Sequence, residues 1–347
     1  MEQEPILFHL RKLLGSQKPV TLDSICDKSW EIAPGGRGDF PSAIFLPKHL
    51  SMNLKTVPGV TLNYELKRVN ERQVEHSPTV AYQINEAKVL NGLLYKNKFR
   101  LRLNNKKESI LNSFGYIQKE AEGILVSSWS SNTYFGHWIH DECPRVLISQ
   151  DIGVPAYSTY RNLYSHQLGY ENIFNINFHS VKRAIFKKMI FLSDATLNDY
   201  RQKKLLQLRA LAQKSIPENN NYIYIKRGNG GVKGRDLVNQ KKIIVKLISY
   251  GFTIINPEKL SANQILKKCL NAKVIMGVEG SSLAHGFLGV NSTGMIIALV
   301  PEYRFTNPFN DYCSSIGLRY GFLVGKTVEG GFDVDLDDMD ELLSLVL

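Results

Sequence analysis

Cysteine is scarce in this 347-residue chain, and its four copies, Cys26, Cys143, Cys269 and Cys313, are scattered without a CxxC pair. That spacing excludes a zinc-ribbon or thioredoxin-type motif and predicts reduced thiols in a cytoplasmic protein. Long apolar runs are also missing. Nothing approaches the roughly 18 apolar residues of a transmembrane helix, and the start lacks the basic-then-apolar order of a signal peptide. No segment repeats and none is of low complexity. Gly-Lys-Ser/Thr, which would close a Walker-type phosphate loop, does not occur at the required spacing. Asp-x-Asp occurs as Asp333-Val-Asp335 in the acidic stretch Asp333–Glu341, where solvation explains it, so no metal site is expected.

What the chain has in excess is positive charge. The net +11 comes from lysines and arginines spread along the sequence, with clusters at Arg100–Lys107, Lys182–Lys188 and Arg201–Lys204. Such a balance favours anionic partners: nucleic acid, an acidic membrane face or a phosphorylated substrate. Ile6–Leu14 reads as a short amphipathic docking helix that could also graze a membrane. Ala33-Pro-Gly-Gly-Arg-Gly38 is a plain loop, since no strand precedes its glycines.

From Ala43 to Leu103 the pattern is short and alternating. Thr79–Ile84 and Leu93–Leu103 predict strands parted by turns at Asn91-Gly92 and Lys96-Asn97, an antiparallel lead-in. Gly123–Ser128 and Ala184–Ser193 predict strands, and Leu197–Lys214 a basic amphipathic helix. The polar break Ile216–Asn221 is the expected domain boundary. Beyond it strands and helices alternate: Tyr222–Lys226, Asp236–Tyr250, Phe252–Ile255, a helix Ala262–Asn271 capped by Ser261, Lys273–Val278, a helix from Leu283, and Gly294–Val300 closing the series. Units of this length predict a parallel sheet covered on both faces, with ligands at the carboxyl ends of its strands. The division expected is 1–218, 219–330, and an acidic tail or helix 331–347.

Three clusters would carry chemistry at those ends. Lys226-Arg-Gly-Asn-Gly-Gly-Val-Lys-Gly-Arg235 follows an apolar strand, and its arginines suit phosphate oxygens; a solvated basic loop is the alternative. Glu279-Gly280-Ser281-Ser282, with His285 beyond, joins strand to helix, so its amides could hold a phosphate while Glu279 meets sugar hydroxyls. An ordinary strand–helix turn with a serine cap is the plainer option. In Trp129–Arg145, a helical spacing would put His137, Asp141 and Arg145 on one face, although Pro144 predicts a kink or a late start. The general base would be Asp141 itself, which needs no second residue to set a tautomer, or His137 oriented by Asp141. Packed histidines in a capped helix, or a cation shared by His137, His140 and Asp141, remain open.

Read in order, HWIHDECPR, YIKR, GRDLVNQ, GFTIINPEKLS, GVEGSSLAHGFL and IALVPE resemble glycosyltransferase family 61 over Trp129–Glu302, with a looser match in AYQINEAKVLNGLLY. The family's motif positions fall on His137, Trp138, Asp141, Pro144 and Arg145, on Arg227, on Arg235 and Asn239, and on Gly277, Gly280 and Leu283. Glu279 stands where the family commonly has histidine, and Gln240 where it commonly has glutamate. The resemblance implies an α/β, GT-B-like fold with two Rossmann-like domains facing across a cleft. It also implies an inverting, metal-independent glycosyltransferase with no cofactor, acting in capsular or cell-surface polysaccharide assembly. The donor would be a nucleotide sugar, expected to be UDP-linked. Arg227, Arg235, Asn239, Glu279, Gly280, Ser281 and Ser282 would hold it. Asp141 or His137 would act on an acceptor saccharide that is anionic or lipid-linked, near the inner membrane face. Trp138, His140 and Arg145 would be acceptor-side or structural. The rivals are another transferase of similar architecture, such as a pyruvyltransferase, and a basic nucleic-acid-binding protein. The second is disfavoured because the basic residues are not interleaved with aromatics in a recognised module.

Overall fold

The computed structural model describes residues 21–97, 99–104, 117, 119–159, 164–218, 220–228 and 235–347. The expected helix Ile6–Leu14 and the glycine-rich loop 229–234 lie outside the described residues, as does part of the Arg100–Lys107 cluster. The strands are β1 (Lys28–Ala33), β2 (Gly36–Phe40), β3 (Arg72–His76), β4 (Thr79–Leu90), β5 (Leu93–Lys96), β6 (Phe99–Arg102), β7 (Lys119–Leu125), β8 (Ala156–Ser158), β9 (His179–Ser180), β10 (Arg183–Ser193), β11 (Tyr222–Ile225), β12 (Phe252–Ile255), β13 (Val274–Val278), β14 (Met295–Pro301), β15 (Arg319–Val328) and β16 (Gly331–Asp333). The helices are α1 (Leu62–Val69), α2 (Phe135–His137), α3 (Cys143–Ile152), α4 (Gln167–Phe174), α5 (Asp199–Ala212), α6 (Gln240–Ser249), α7 (Ala262–Cys269), α8 (Leu283–Gly289), α9 (Pro308–Ser315) and α10 (Leu336–Val346). No helix among the described residues is long and apolar enough to cross a membrane.

The chain forms two compact units, residues 1–36 with 76–204, and residues 37–75 with 205–347. The change at 204/205 falls within α5, ahead of the polar break Ile216–Asn221. In the first unit one sheet runs β6-β5-β4-β10-β7-β8-β9, with β1 also on β4. The expected antiparallel lead-in is therefore not a separate layer. The long β4 pairs antiparallel with β1, β5 and β10, and β10 then pairs parallel with β7, so both patterns share one sheet. The turns expected on either side of β5 are there: Asn91, Gly92 and Asn97 all take positive φ, the conformation tight hairpin turns demand.

The second unit holds the order β12-β11-β13-β14-β15-β16, parallel through β15. β13 and β14 are buried at every position, as strands covered on both faces must be. Tyr224, Met276, Ile297 and Leu323 pack under Ile243 and Leu247 of α6 and Met339 and Leu342 of α10. On the other face α8 lies so close that a Cβ on Gly286 would meet the Ile275 side chain. Gly294–Val300 does not close the series as expected: β15 adds a further parallel strand and β16 an antiparallel one. Helix α6 starts four residues later than expected because Leu237 bridges to Phe332 and the Val238 amide bonds the Phe332 carbonyl. The acidic stretch is a helix, capped by Asp335 and anchored by buried Met339, Leu342 and Leu343.

Residues 37–75 join this unit through named contacts. Ile44 bridges to Gly321, His49 bonds Asp338 at 2.9 Å, and the buried Glu65 accepts the Asn307 amide at 2.8 Å. Helices α7 and α8 meet at Gly289, where a Cβ would lie 2.6 Å from Cys269 Cβ and 2.8 Å from its backbone carbon. Gly289→Ala should lower stability by about 1–3 kcal/mol, because rigid backbone leaves no room for the methyl. Gly36→Ala, with no atom near the added Cβ, should stay within about 0.5 kcal/mol of wild type. Urea unfolding midpoints check both; equal midpoints would show that the two helices part without cost.

Candidate active site

In the first unit, strand β7 runs into the turn 128–134, then α2, a π turn (Trp138–Glu142) and α3. Pro144 explains the π turn. A proline has no amide for the carbonyl four residues back, here that of His140, and its ring crowds that carbonyl. Widening the turn relieves the crowding, and the Cys143 amide bonds the Trp138 carbonyl five residues back instead. The carbonyl of His140 then accepts a hydrogen bond from Arg201 at 3.0 Å.

The expected pairing of His137 and Asp141 holds: Nδ1 lies 2.8 Å from Oδ2. Arg145 departs from the same-face expectation and turns to Asp194, which it grips through Nε and Nη2 at 3.0 and 2.6 Å, while Nη1 donates to the Val126 carbonyl. Arg201 meets Asp194 from its other side at 3.2 Å and Asp141 at 3.6 Å. Burial would raise the Asp141 pKa, but the hydrogen bond from His137 and the charges of His137, Arg201 and Arg145 outweigh it and lower it to about 2. An ionised carboxylate only accepts, so His137 Nδ1 carries the proton of this hydrogen bond. His140 differs: burial pushes its imidazole down to about 3 and keeps it neutral. Trp138 is buried and stacks on Phe135. Glu142, also buried, accepts from Ser131 and Ser158 at 2.6 and 2.7 Å, which ties the π turn to the turn 128–134 and to the end of β8. Among the described residues, no group of three or more His, Cys, Asp or Glu side chains is placed to hold a metal ion.

In the second unit, the neighbouring strands β11, β13 and β14 deliver Arg227, Glu279 and Arg304 just past their carboxyl ends. Arg235 Nη1 bonds the Glu279 carboxylate at 2.6 Å and its carbonyl at 2.9 Å, and Arg304 Nε lies 3.9 Å from the same carboxylate. Gly280 sits beneath the arginines with φ +142, and a Cβ there would meet Arg235 Nη1 at 2.9 Å and Arg227 Nη1 at 3.3 Å. Burial and the neighbouring Arg235 depress the Arg227 pKa, the signature of crowded cations that an anion would relieve. Leu283, Ala284 and His285 donate their amides to the carbonyls of Gly280, Ser281 and Ser282. Those of residues 280–282 make no hydrogen bond among the described residues, and Ser282 Oγ is buried there without a partner. His285 is buried in α8. Asn239 bonds the Val334 backbone through both side-chain polar atoms, fixing the start of α6.

Asp194, Arg201, Glu142 and Arg304 were missed from sequence. Only Arg304 carried a local signal, a cation just beyond an apolar strand. Asp194 is buried between two guanidinium groups, so Asp194→Ala should cost about 3–5 kcal/mol by leaving both uncompensated. For Asp141 the folded pKa lies below the ordinary 3.8, so its stabilisation is complete above that pH and is lost as the pH falls through about 2. Asp141→Asn should remove about 2 kcal/mol of that acid dependence. Urea unfolding from neutral to acid pH measures both; parallel acid limbs in wild type and Asp141→Asn would refute the assignment.

A search of curated proteins found no match. The family model Glycosyltransferase 61 matches residues 135–296, from the first residue of α2 to the second of β14, and so takes in the dyad, Arg227, Arg235 and Glu279–Ser282. Over residues 135–296 the chain matches glycosyltransferase family 61, which supports a glycosyltransferase.

Proposed function

We propose that this glycosyltransferase is inverting and metal-independent, and transfers a sugar from a nucleotide-sugar donor, of the UDP-linked class, to a growing capsular or cell-surface saccharide. The observation that carries the donor assignment is the set Arg227, Arg235 and Arg304 around Glu279-Gly280 at the carboxyl edge of a parallel sheet. Three guanidinium groups against one carboxylate leave a net positive edge, where a diphosphate would be stabilised. The carboxylate of Glu279 is neutralised by Arg235, which removes the repulsion expected of it towards a diphosphate. The Gly280–Ser282 amides would add donors as charge develops on the leaving group. Asn239 and His285 would act by holding the surrounding backbone.

His137 is the better base of the two candidates. Asp141 is too weakly basic at about 2, and its hydrogen bond fixes the imidazole so that Nε2 accepts a proton. The acceptor hydroxyl oxygen would attack the anomeric carbon, its proton would pass to Nε2, and the bond to the diphosphate would break in the same displacement. Phosphate charge is assigned to arginine rather than to a cation. The GT-B arrangement, a cytoplasmic location, and an acceptor that is anionic or lipid-linked at the inner membrane face belong to the same proposal, supported by the family-model match over residues 135–296 and the +11 charge.

Arg227→Ala and Arg304→Ala should each weaken nucleoside-diphosphate binding by on the order of 2–3 kcal/mol, read by calorimetry. Unchanged affinity in both would move the donor site elsewhere. For the base, single-turnover sugar transfer in the presence of EDTA should fall about 10²–10⁴-fold in His137→Ala, with Asp141→Asn less damaging and donor affinity intact. If Asp141→Asn were the more damaging change, the carboxylate would be the base after all.

A further inference from the structure

Trp129 stands at the start of the turn between β7 and α2 with 40% of its surface exposed. Holding an indole out in water forgoes a large apolar burial, so a chain with a big enough core rarely does it without cause. The turn itself is firmly built. Ser131 Oγ accepts the Ser128 amide at 3.0 Å and donates to the buried Glu142 at 2.6 Å, and Thr133 Oγ1 donates to the Trp129 carbonyl at 2.7 Å. The indole is thus presented by a fixed backbone rather than by a loose one. Among the described residues its ring neighbour is Tyr134, edge-on at 6.1 Å, and the Tyr134 ring lies 5.9 Å from that of His137. A half-buried aromatic therefore links the exposed indole to the catalytic dyad. Among the described residues, Tyr64 is the other aromatic with a large exposed side chain, and it is covered by the Arg68 guanidinium at 4.7 Å. No cation covers Trp129 among the described residues.

We propose that Trp129, flanked by Tyr134, is a stacking platform for a sugar ring of the acceptor saccharide. Pyranose rings offer an apolar face of C–H groups that pairs with an indole, while their hydroxyls stay in water. A platform beside the dyad would seat a sugar unit next to the one whose hydroxyl meets His137, which selects an oligosaccharide over a single sugar. The proposal rests on the assignment of His137–Asp141 to the acceptor.

The test screens wild-type protein against immobilised neutral and uronic-acid-containing oligosaccharides, then measures the Kd of the bound ones for wild type, Trp129→Ala and Trp129→Phe. Nucleoside-diphosphate affinity is measured in parallel. Trp129→Ala should weaken saccharide binding roughly tenfold or more, Trp129→Phe should regain part of it, and nucleoside-diphosphate affinity should not change. Equal saccharide affinity in wild type and Trp129→Ala overturns the platform, as does wild type that binds nucleoside diphosphate but no oligosaccharide. Loss of both affinities in both variants makes the indole structural, which also overturns it. Failure of wild type to bind either ligand would instead overturn the functional assignment on which the platform rests.

Discussion

Asp194 is a carboxylate without access to water, set between the guanidinium groups of Arg145 and Arg201. Each of these charges would be intolerable alone in the interior, and together they tie α3 to the segment from Asp194 to Arg201. Arg145 clamps α3 to the end of β7 through the Val126 carbonyl. Arg201 reaches from α5 to the His140 carbonyl that Pro144 left without an amide, and to the near side of Asp141. The π turn is stable because its buried carbonyl without an amide partner has a charged donor, and the turn in turn sets the geometry of His137 on Asp141. The acidity of Asp141 follows from its hydrogen bond with His137 and from the cations around it, and Asp194 helps to place two of these, Arg201 and Arg145.

The second unit solves a different electrostatic problem. Parallel strands β11, β13 and β14 end side by side, so whatever follows each strand is forced into one neighbourhood. Here that is Arg227, Glu279 and Arg304, with Arg235 folded over Gly280. The single carboxylate orders Arg235 without cancelling the cluster, and Arg227 keeps a depressed pKa as the residue of that crowding. Any side chain at position 280 would wedge between the guanidinium groups, so the glycine is required by proximity as well as by its positive φ.

Much of this was legible in the order of residues. Continuous apolar runs such as Val274–Val278 and the cap Ser261 announce buried strand and helix start on purely local grounds. The hairpin turns at Asn91-Gly92 and Asn97 are local too, because left-handed backbone is the property of those residues. The i, i+4 spacing of His137 and Asp141 survived the π turn because their hydrogen bond lies within one turn of chain. Sequence also supplied the resemblance to glycosyltransferase family 61, since six short motifs in order leave few alternatives.

What the chain could not disclose depends on pairs distant in sequence. Nothing near Asp194 signals two arginine partners, and nothing in Leu62–Val69 signals that Glu65 will be buried against Asn307, more than two hundred residues away. The lowered pKa of Asp141 was likewise not legible from spacing, because a carboxylate's basicity is set by the charges folded around it rather than by its own position. Local sequence determined the elements and the residue types at the strand ends. The fold alone decided which charges meet, because those meetings join residues that local sequence does not pair.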